Sequence, residues 1–203
     1  ARRETAPKLE FAPSQQYLRG LFSGGTLAYE TMLVLRAFSM RVYSNVPLDP
    51  DDQLPDSTTS REHTIVDLGE DEFTVGRLHP MMDNDLRLRR LQQEVADTET
   101  AVILLDVVLG DGAHPNPASE LGYAIAAAKT AARSAGRHLE VVALVLGSES
   151  DPQDAAGQIE QLRQAGARVE TRTEAAACYV GRIITSLTPS TNADIQPVDL
   201  NAF

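Results

Sequence analysis

The chain has 203 residues, 42% of them hydrophobic, and a formal net charge of −11. This length and composition predict one sizeable domain with a buried core. The acidic balance argues against nucleic acid and anionic membranes as partners, and no stretch approaches the ~18 apolar residues that a membrane-spanning helix needs.

The beginning of the chain and its single cysteine indicate its setting. Residues 1–5 are polar and lack an initiating Met, so we expect no signal peptide and an internal start within a longer protein. With Cys178 as the one cysteine, an internal disulfide is excluded, which favours a reducing, cytoplasmic location. Its alanine-rich surroundings at helical spacing favour a buried structural thiol over a nucleophile.

Strand-like and helix-like segments alternate along the chain. Apolar runs predict strands at residues 17–22, 41–46, 63–68, 101–109, 139–146 and 168–171. Helical spacing predicts helices at residues 27–35, 117–134, 152–165 and 174–187, with a further one beginning at residue 83 or 84. A polar surface loop is predicted at residues 47–62. This alternation is typical of an α/β fold with a parallel sheet.

The helix that begins near residue 83 is predicted to be amphipathic. We expect its arginines to face solvent and its apolar side chains to pack on the sheet. The inward positions are Leu86, Leu88, Leu91 and Val95.

The order of the elements suits a flavodoxin-like three-layer domain at residues 17–187, with a parallel sheet of five or six strands. We expect residues 1–16 to form an N-terminal extension and residues 188–203 an extended tail. The strand order 2-1-3-4-5 would place strand one beside strand three, and strand three beside strand four. In such sheets ligands bind beyond the carboxyl ends of the strands, where the strand order reverses.

A turn of small residues, Ser23, Gly24, Gly25 and Thr26, links the first strand to the first helix. Such a turn leaves backbone N–H groups free at the positive end of the helix dipole, where phosphate groups often bind. The glycines allow a ligand to approach the backbone closely, and the two hydroxyls add donors. The alternative is that the glycines serve only the steric needs of the turn.

Two further loops, residues 77–83 and 110–117, each carry a His-Pro pair. We expect them to share one rim with the first turn. His79 and His114 are candidate catalytic groups, because imidazole titrates near neutrality and is nucleophilic when neutral. Arg77 suits a phosphate or oxyanion. The structural alternatives are histidines that cap turns and an arginine that is merely exposed.

Three aspartates are candidate supporting residues. Asp67 and Asp106 interrupt apolar strands, so they need hydrogen-bond donors, for which loop N–H groups are the usual source. Asp111 lies in the second His-Pro loop. A metal centre built from His79, His114 and Asp111 is an alternative, but these residues lack a tight ligand spacing, so no metal is expected.

Three segments carry a resemblance to a known family. Residues 18–27 (LRGLFSGGTL), 73–81 (FTVGRLHPM) and 102–115 (VILLDVVLGDGAHP) resemble the FdrA proteins, relatives of succinyl-CoA synthetase. The similarity spans about residues 17–187. More distantly, residues 24–27 together with 65–69 resemble the CoA-ligase domain at the C-terminal end of the synthetase β subunit.

The resemblance implies an acyl-CoA synthetase-like ligase module, in which Ser23, Gly24, Gly25 and Thr26 form a phosphate cradle. In succinyl-CoA synthetases such cradles face a phosphohistidine, but the motif around that histidine is absent here. Neither His79 nor His114 is therefore assigned that role. The resemblance implies CoA and ATP, or another phosphate donor, for the complete enzyme, with no cofactor assigned to this chain.

The implied partners are other domains of the full-length protein or separate subunits, a second copy of the chain, and a small anionic ligand. Two alternatives stay open. FdrA proteins are linked to oxamate carbamoyl transfer in allantoin-derived purine breakdown, which would make carbamoyl phosphate the ligand. The chain would otherwise be a non-catalytic interaction module that keeps only the fold.

Overall fold

Parallel strands and covering helices alternate through residues 9–187, the part of the chain that the computed structural model describes. The strands are β1 (Tyr17–Phe22), β2 (Tyr43–Ser44), β3 (Thr64–Asp67), β4 (Thr100–Val108), β5 (Glu140–Leu146) and β6 (Arg168–Glu170). The helices are α1 (Gly25–Arg36), α2 (Asp71–Thr74), α3 (Asp85–Ala96), α4 (Pro117–Ser134), α5 (Ala155–Gln164) and α6 (Thr173–Leu187), with a 3₁₀ turn at Pro50–Asp52. The predicted tail, and residues 1–8 of the predicted extension, lie outside the described residues.

The predicted second strand is the main difference among these elements. Of residues 41–46, only Tyr43 and Ser44 pair with the sheet. The next residue, Asn45, bonds the end of β3 through its side chain, which donates to the Asp67 carbonyl and accepts from the Asp67 N–H. A side-chain amide thus replaces backbone pairing, so the strand ends there.

The six strands are all parallel and lie in the order β2-β3-β1-β4-β5-β6. The prediction that strand three lies beside strand four was wrong, because β1 separates β3 from β4. Apart from the two-residue β2, the order is that of a flavodoxin-like sheet, with β3 in the position of the second strand. The predicted fold class is therefore confirmed, although β3, and not residues 41–46, lies beside β1 in the position of the second strand.

Helices cover both faces of the sheet. On one face α1 and α6 pack together, and Met32, Leu35, Val180 and Ile183 belong to that core. On the other face α3, α4 and α5 form the second core with the opposite side chains of the strands. The central strand β4 is buried on both sides. Within residues 9–187, no helix is both long and apolar enough to cross a membrane.

Helix α3 differs from its predicted orientation. Leu91 and Val95 are buried as expected, but Arg87 and Arg90 are buried too. The expectation that the arginines face solvent holds only for Arg89. The two buried guanidiniums are accommodated because each meets acidic or carbonyl oxygens beneath the helix.

The carboxyl end of β1 is the point where the connections diverge. The chain leaves β1 into α1 on one face, whereas it leaves β3 and β4 towards helices on the other face. Because β1 lies between β3 and β4, the three connecting loops surround the end of this strand. Ligands of open parallel sheets bind in this kind of crevice.

Candidate functional site

The turn after β1 is anchored by its first residue. Ser23 is fully buried; its N–H donates to Asp106 Oδ1 at 2.9 Å, and its hydroxyl donates to Asp106 Oδ2 at 2.6 Å. The serine hydroxyl, predicted as a donor to a ligand, is therefore already committed within the protein. Ser23 instead fixes where the following residues lie.

The amides that follow Ser23 are unbonded. Helix α1 begins at Gly25 with Gly24 as its N-cap, no side chain caps it, and its first turn contains no acidic residue. No residue of the described chain accepts a hydrogen bond from the N–H groups of Gly24, Gly25 or Thr26. Gly24 and Gly25 are half-exposed and Thr26 is exposed. The positive end of α1 is thus open to solvent and to an anion.

Asp106 ties this turn to the neighbouring helix α3. Its carboxylate is fully buried at the end of β4, and Oδ1 also lies 3.1 Å from a guanidinium nitrogen of Arg87. The same nitrogen donates to the Asp106 carbonyl. The predicted source of donors, loop N–H groups, is confirmed for Asp106 through Ser23, and the arginine supplies the balancing charge.

Asp67 occupies the corresponding position at the end of β3 and is only half satisfied. Its side chain is buried, and Oδ1 accepts from the Gly69 N–H at 2.8 Å. Oδ2 accepts no hydrogen bond from any described residue and lies beside α1, where a Cβ placed on Gly25 would be 3.0 Å away. Burial raises the pKa of the Asp67 carboxyl, and the charges of Glu70 and Asp106 raise it further.

Gly69 packs where three groups of the site converge. A Cβ at this position would lie 2.6 Å from the Ser23 carbonyl oxygen, 2.8 Å from His79 Nε2 and 3.0 Å from Asp67 Oδ1. His79 Nδ1 accepts from the Met81 N–H at 3.2 Å, so in the neutral ring the proton resides on Nε2. His79 therefore presents an N–H to the cluster formed by Ser23, Asp67 and Gly69.

The second histidine loop contacts the first through its backbone. The His114 N–H donates to the Met81 carbonyl at 2.8 Å. Its ring is engaged elsewhere: Nδ1 accepts from the Asn116 N–H at 3.1 Å, and Nε2 lies 3.6 Å from a carboxylate oxygen of Glu120. The structure thus brings the two loops together, and it directs the His114 ring towards the start of α4.

Two predicted site residues lie apart from this cluster. Arg77 is exposed and lines a separate cleft of about 390 Å³ with Phe73, Leu86 and Arg89. That cleft is lined neither by the turn after β1 nor by the histidines. Asp111 is exposed, and its side chain makes no hydrogen bond or ion pair with a described residue.

The alternative metal site and Cys178 are the remaining candidates for reactive groups in the described part of the chain. Within residues 9–187, no group of three or more His, Cys, Asp or Glu side chains is arranged to hold a metal ion. Cys178 is buried and burial raises the pKa of its thiol, as suits a structural side chain.

Three residues of the site were missed from the sequence: Asn45, Gly69 and Arg87. Arg87 had a usable signal, because it lies four residues before Leu91 on the same helix face and a buried Asp106 needs a cation. Gly69 follows Asp67 by two residues, the spacing of a carboxylate that accepts a hydrogen bond from its own loop. Asn45 had no comparable signal, since its contact depends on the edge of the sheet.

Known proteins resemble this chain in sequence and in fold. The family model described as CoA-ligase matches residues 21–183. The uncharacterized protein YahF of Escherichia coli (strain K12) is 44% identical over 154 residues, which cover 76% of this chain and 30% of YahF. The crystal structure of PH0766 from Pyrococcus horikoshii OT3 matches with a TM-score of 0.50 at 12% identity, over 85% of this chain and 37% of PH0766.

The coverage and the sequence identity of these matches determine which conclusions they allow. The chain spans about a third of the length of YahF and of PH0766. The likeness to PH0766, at 12% identity, establishes the fold alone. The CoA-ligase match extends from the end of β1 into α6 and includes the whole candidate site. This chain therefore belongs to the CoA-ligase family.

Proposed function

We propose that this domain binds a phosphoryl or acyl-phosphate group at the N-terminus of α1, as part of an FdrA-type enzyme related to acyl-CoA synthetases. The single observation that carries the proposal is that no residue in the described range 9–187 accepts a hydrogen bond from the amides of Gly24, Gly25 and Thr26, at a helix start that no side chain caps. Three N–H groups and the helix dipole together favour a compact anion.

The anchoring of the turn supports this role. Ser23 is held by Asp106, which is held in turn by Arg87. The following amides therefore keep their direction without a bound ligand. Donors that are fixed in advance stabilise developing negative charge most effectively, because they need not reorganise during a reaction.

His79 is the side chain best placed to act on a bound group. Its Nε2 lies beside Gly69 and Asp67, at the edge of the turn. We propose that it donates a hydrogen bond to the bound anion and moves a proton during transfer. CoA and a phosphate donor such as ATP would serve the complete enzyme, with this domain contributing the contact to the phosphoryl group.

An amide NMR titration tests the proposal directly. Inorganic phosphate, added to the isotope-labelled chain, is expected to shift the resonances of Gly24, Gly25 and Thr26 first. Sodium chloride at the same ionic strength is the control for general screening. If no phosphate ligand shifts these amides, the proposal fails and a non-catalytic interaction module is favoured.

A matched pair of variants at Gly24 sharpens the test. Gly24 has extended backbone, and a Cβ there would meet nothing within 4 Å, so both variants should fold. In Gly24→Asp the new carboxylate would cap α1 and occupy its free amides, so we expect phosphate affinity to fall about tenfold or more. Gly24→Ala should bind within about twofold of the wild type, because it adds no competing acceptor. Equal binding by the two variants would contradict the proposed site.

A further inference from the structure

Asp67 presents an unused carboxylate oxygen to the proposed anion site. The residue is 3% exposed, and its Oδ1 is occupied by the Gly69 N–H. Oδ2 accepts no hydrogen bond within the described chain and lies beside the first residue of α1, where a Cβ placed on Gly25 would be 3.0 Å away. Oδ2 is not among the fully enclosed side-chain atoms that lack a partner in the described residues, so it reaches solvent and can accept a hydrogen bond from a ligand.

The position of Oδ2 restricts which anions can bind. An oxygen of an anion held by the Gly24–Thr26 amides would lie near Oδ2, and two negatively charged oxygens repel each other strongly when little water separates them. The contact becomes favourable when one hydrogen lies between the two oxygens. Hydrogen phosphate and singly protonated phosphoryl groups carry that hydrogen near neutral pH, whereas sulfate does not.

We propose that Asp67 makes this site selective for anions that carry a hydrogen on one oxygen, namely hydrogen phosphate and singly protonated phosphoryl groups, and against sulfate. The inference rests on the proposed function and narrows its ligand class. The amides recognise negative charge, and Asp67 recognises the hydrogen. His79 Nε2 is a further donor on the same side, so the cluster offers both kinds of hydrogen-bonding group.

The groups around Asp67 determine how the affinity for each anion depends on pH. Glu70 and Asp106 face it as negative charges and His79 as the imidazole, while Gly69 donates an N–H. Sulfate binds without repulsion from Asp67 only when the Asp67 carboxyl itself carries the hydrogen. Its affinity should therefore fall as pH rises and the Asp67 carboxyl ionises. Hydrogen phosphate brings its own hydrogen, so its affinity should hold over the same range.

The test compares the two anions on the full chain by the NMR titration of the α1 amides. Near pH 8 and at constant ionic strength, phosphate should bind the wild type about tenfold more tightly than sulfate, or better. In Asp67→Asn the amide has the same shape but no charge and can donate to sulfate. The preference should then shrink to about twofold or less.

Each outcome decides the inference. Equal binding of phosphate and sulfate by the wild type, or an unchanged preference in Asp67→Asn, would overturn it while leaving the anion site in place. If neither anion shifts the amides, the proposed function fails and this inference fails with it. Should Asp67→Asn not fold, the wild type alone suffices, since a sulfate affinity that does not fall with rising pH relative to phosphate would overturn it.

Discussion

Two buried aspartates, at the ends of the strands β3 and β4 that flank β1, differ in how many hydrogen-bond donors their carboxylates have. Asp106 has Ser23 and Arg87 on its carboxylate oxygens. Among residues 9–187, Asp67 has one donor, the Gly69 N–H on Oδ1, and its Oδ2 beside α1 has none. The first arrangement holds backbone in place, and the second leaves hydrogen-bonding capacity for a ligand. Sequence alone identified both carboxylates as in need of donors, but it had no means of telling these two situations apart.

Replacement of the turn's hydroxyl residues distinguishes anchoring from ligand binding. Ser23→Ala removes the bond to Asp106 Oδ2, so we expect a loss of about 2 kcal/mol of unfolding free energy, measured by urea denaturation. Phosphate affinity should change less than stability, because the Ser23 N–H still holds the turn. Thr26→Ala is the matched control: Thr26 is exposed, so its stability should stay within about 0.5 kcal/mol. A stable Ser23→Ala chain that no longer binds phosphate would contradict the anchoring role.

At the scale of elements, the helices and central strands follow from apolar spacing, whereas the sheet edge does not. The runs at β4 and β5 are apolar on both faces and predict central parallel strands. Residues 41–46 (RVYSNV) mix apolar and polar side chains and predict a strand of six residues, yet only two of them pair. Their pairing ends where the side chain of Asn45 bonds the backbone of Asp67, at the end of β3. This is a contact between two segments, and local spacing does not encode it.

Helix α3 also makes contacts that local spacing does not encode, here through its charged residues. Arg90 donates to Glu94 at 2.5 Å and to the Ser57 carbonyl at 2.7 Å. Glu94 also lies 3.1 Å from Arg19 of β1. This buried network fastens the loop before β3 and the start of β1 to the helix. Spacing placed the leucines on the inner face correctly, but it assigned every arginine to solvent. The oxygens that accept the two buried arginines, that of the Ser57 carbonyl for Arg90 and those of Asp106 for Arg87, lie far away in sequence.

Adjacent arginines of α3 offer a matched test of this network. Arg90→Ala leaves buried Glu94 without one of its two cations, so we expect a loss of about 3 kcal/mol of unfolding free energy. Arg89→Ala removes an exposed pair with Asp85 and should cost about 0.5 kcal/mol or less. Urea denaturation of both variants measures the difference. Equal losses would show that burial of the Arg90 network contributes nothing to stability.

For the molecule as a whole, polar groups gather at both ends of the sheet but in different states. At the amino end, Arg19 is paired with Glu94 and Asp97 and largely closed from solvent. At the carboxyl end, the amides of Gly24–Thr26 and Asp67 Oδ2 stay unbonded within the described chain. The closed end therefore stabilises the fold, and the open end is where binding is proposed.

The closed end also makes the stability of the whole molecule depend on pH. His63 Nδ1 accepts from the Leu18 N–H at 3.2 Å. Burial, together with the charge of Arg19, lowers the pKa of His63 from 6.5 to about 4. Between these two pKa values the unfolded chain binds a proton that the folded chain does not, so stability falls as pH falls through this window.

Comparison of the wild type with His63→Gln isolates that contribution. Acidification from about pH 7 to pH 5 should destabilise the wild type by about 2 kcal/mol more than the variant, because glutamine does not titrate. The carboxylates titrate alike in both proteins, so their effect cancels in the difference. Urea denaturation at the two pH values gives the measurement. A difference between the two proteins that does not change with pH would mean that His63 binds a proton as readily in the fold as in the unfolded chain.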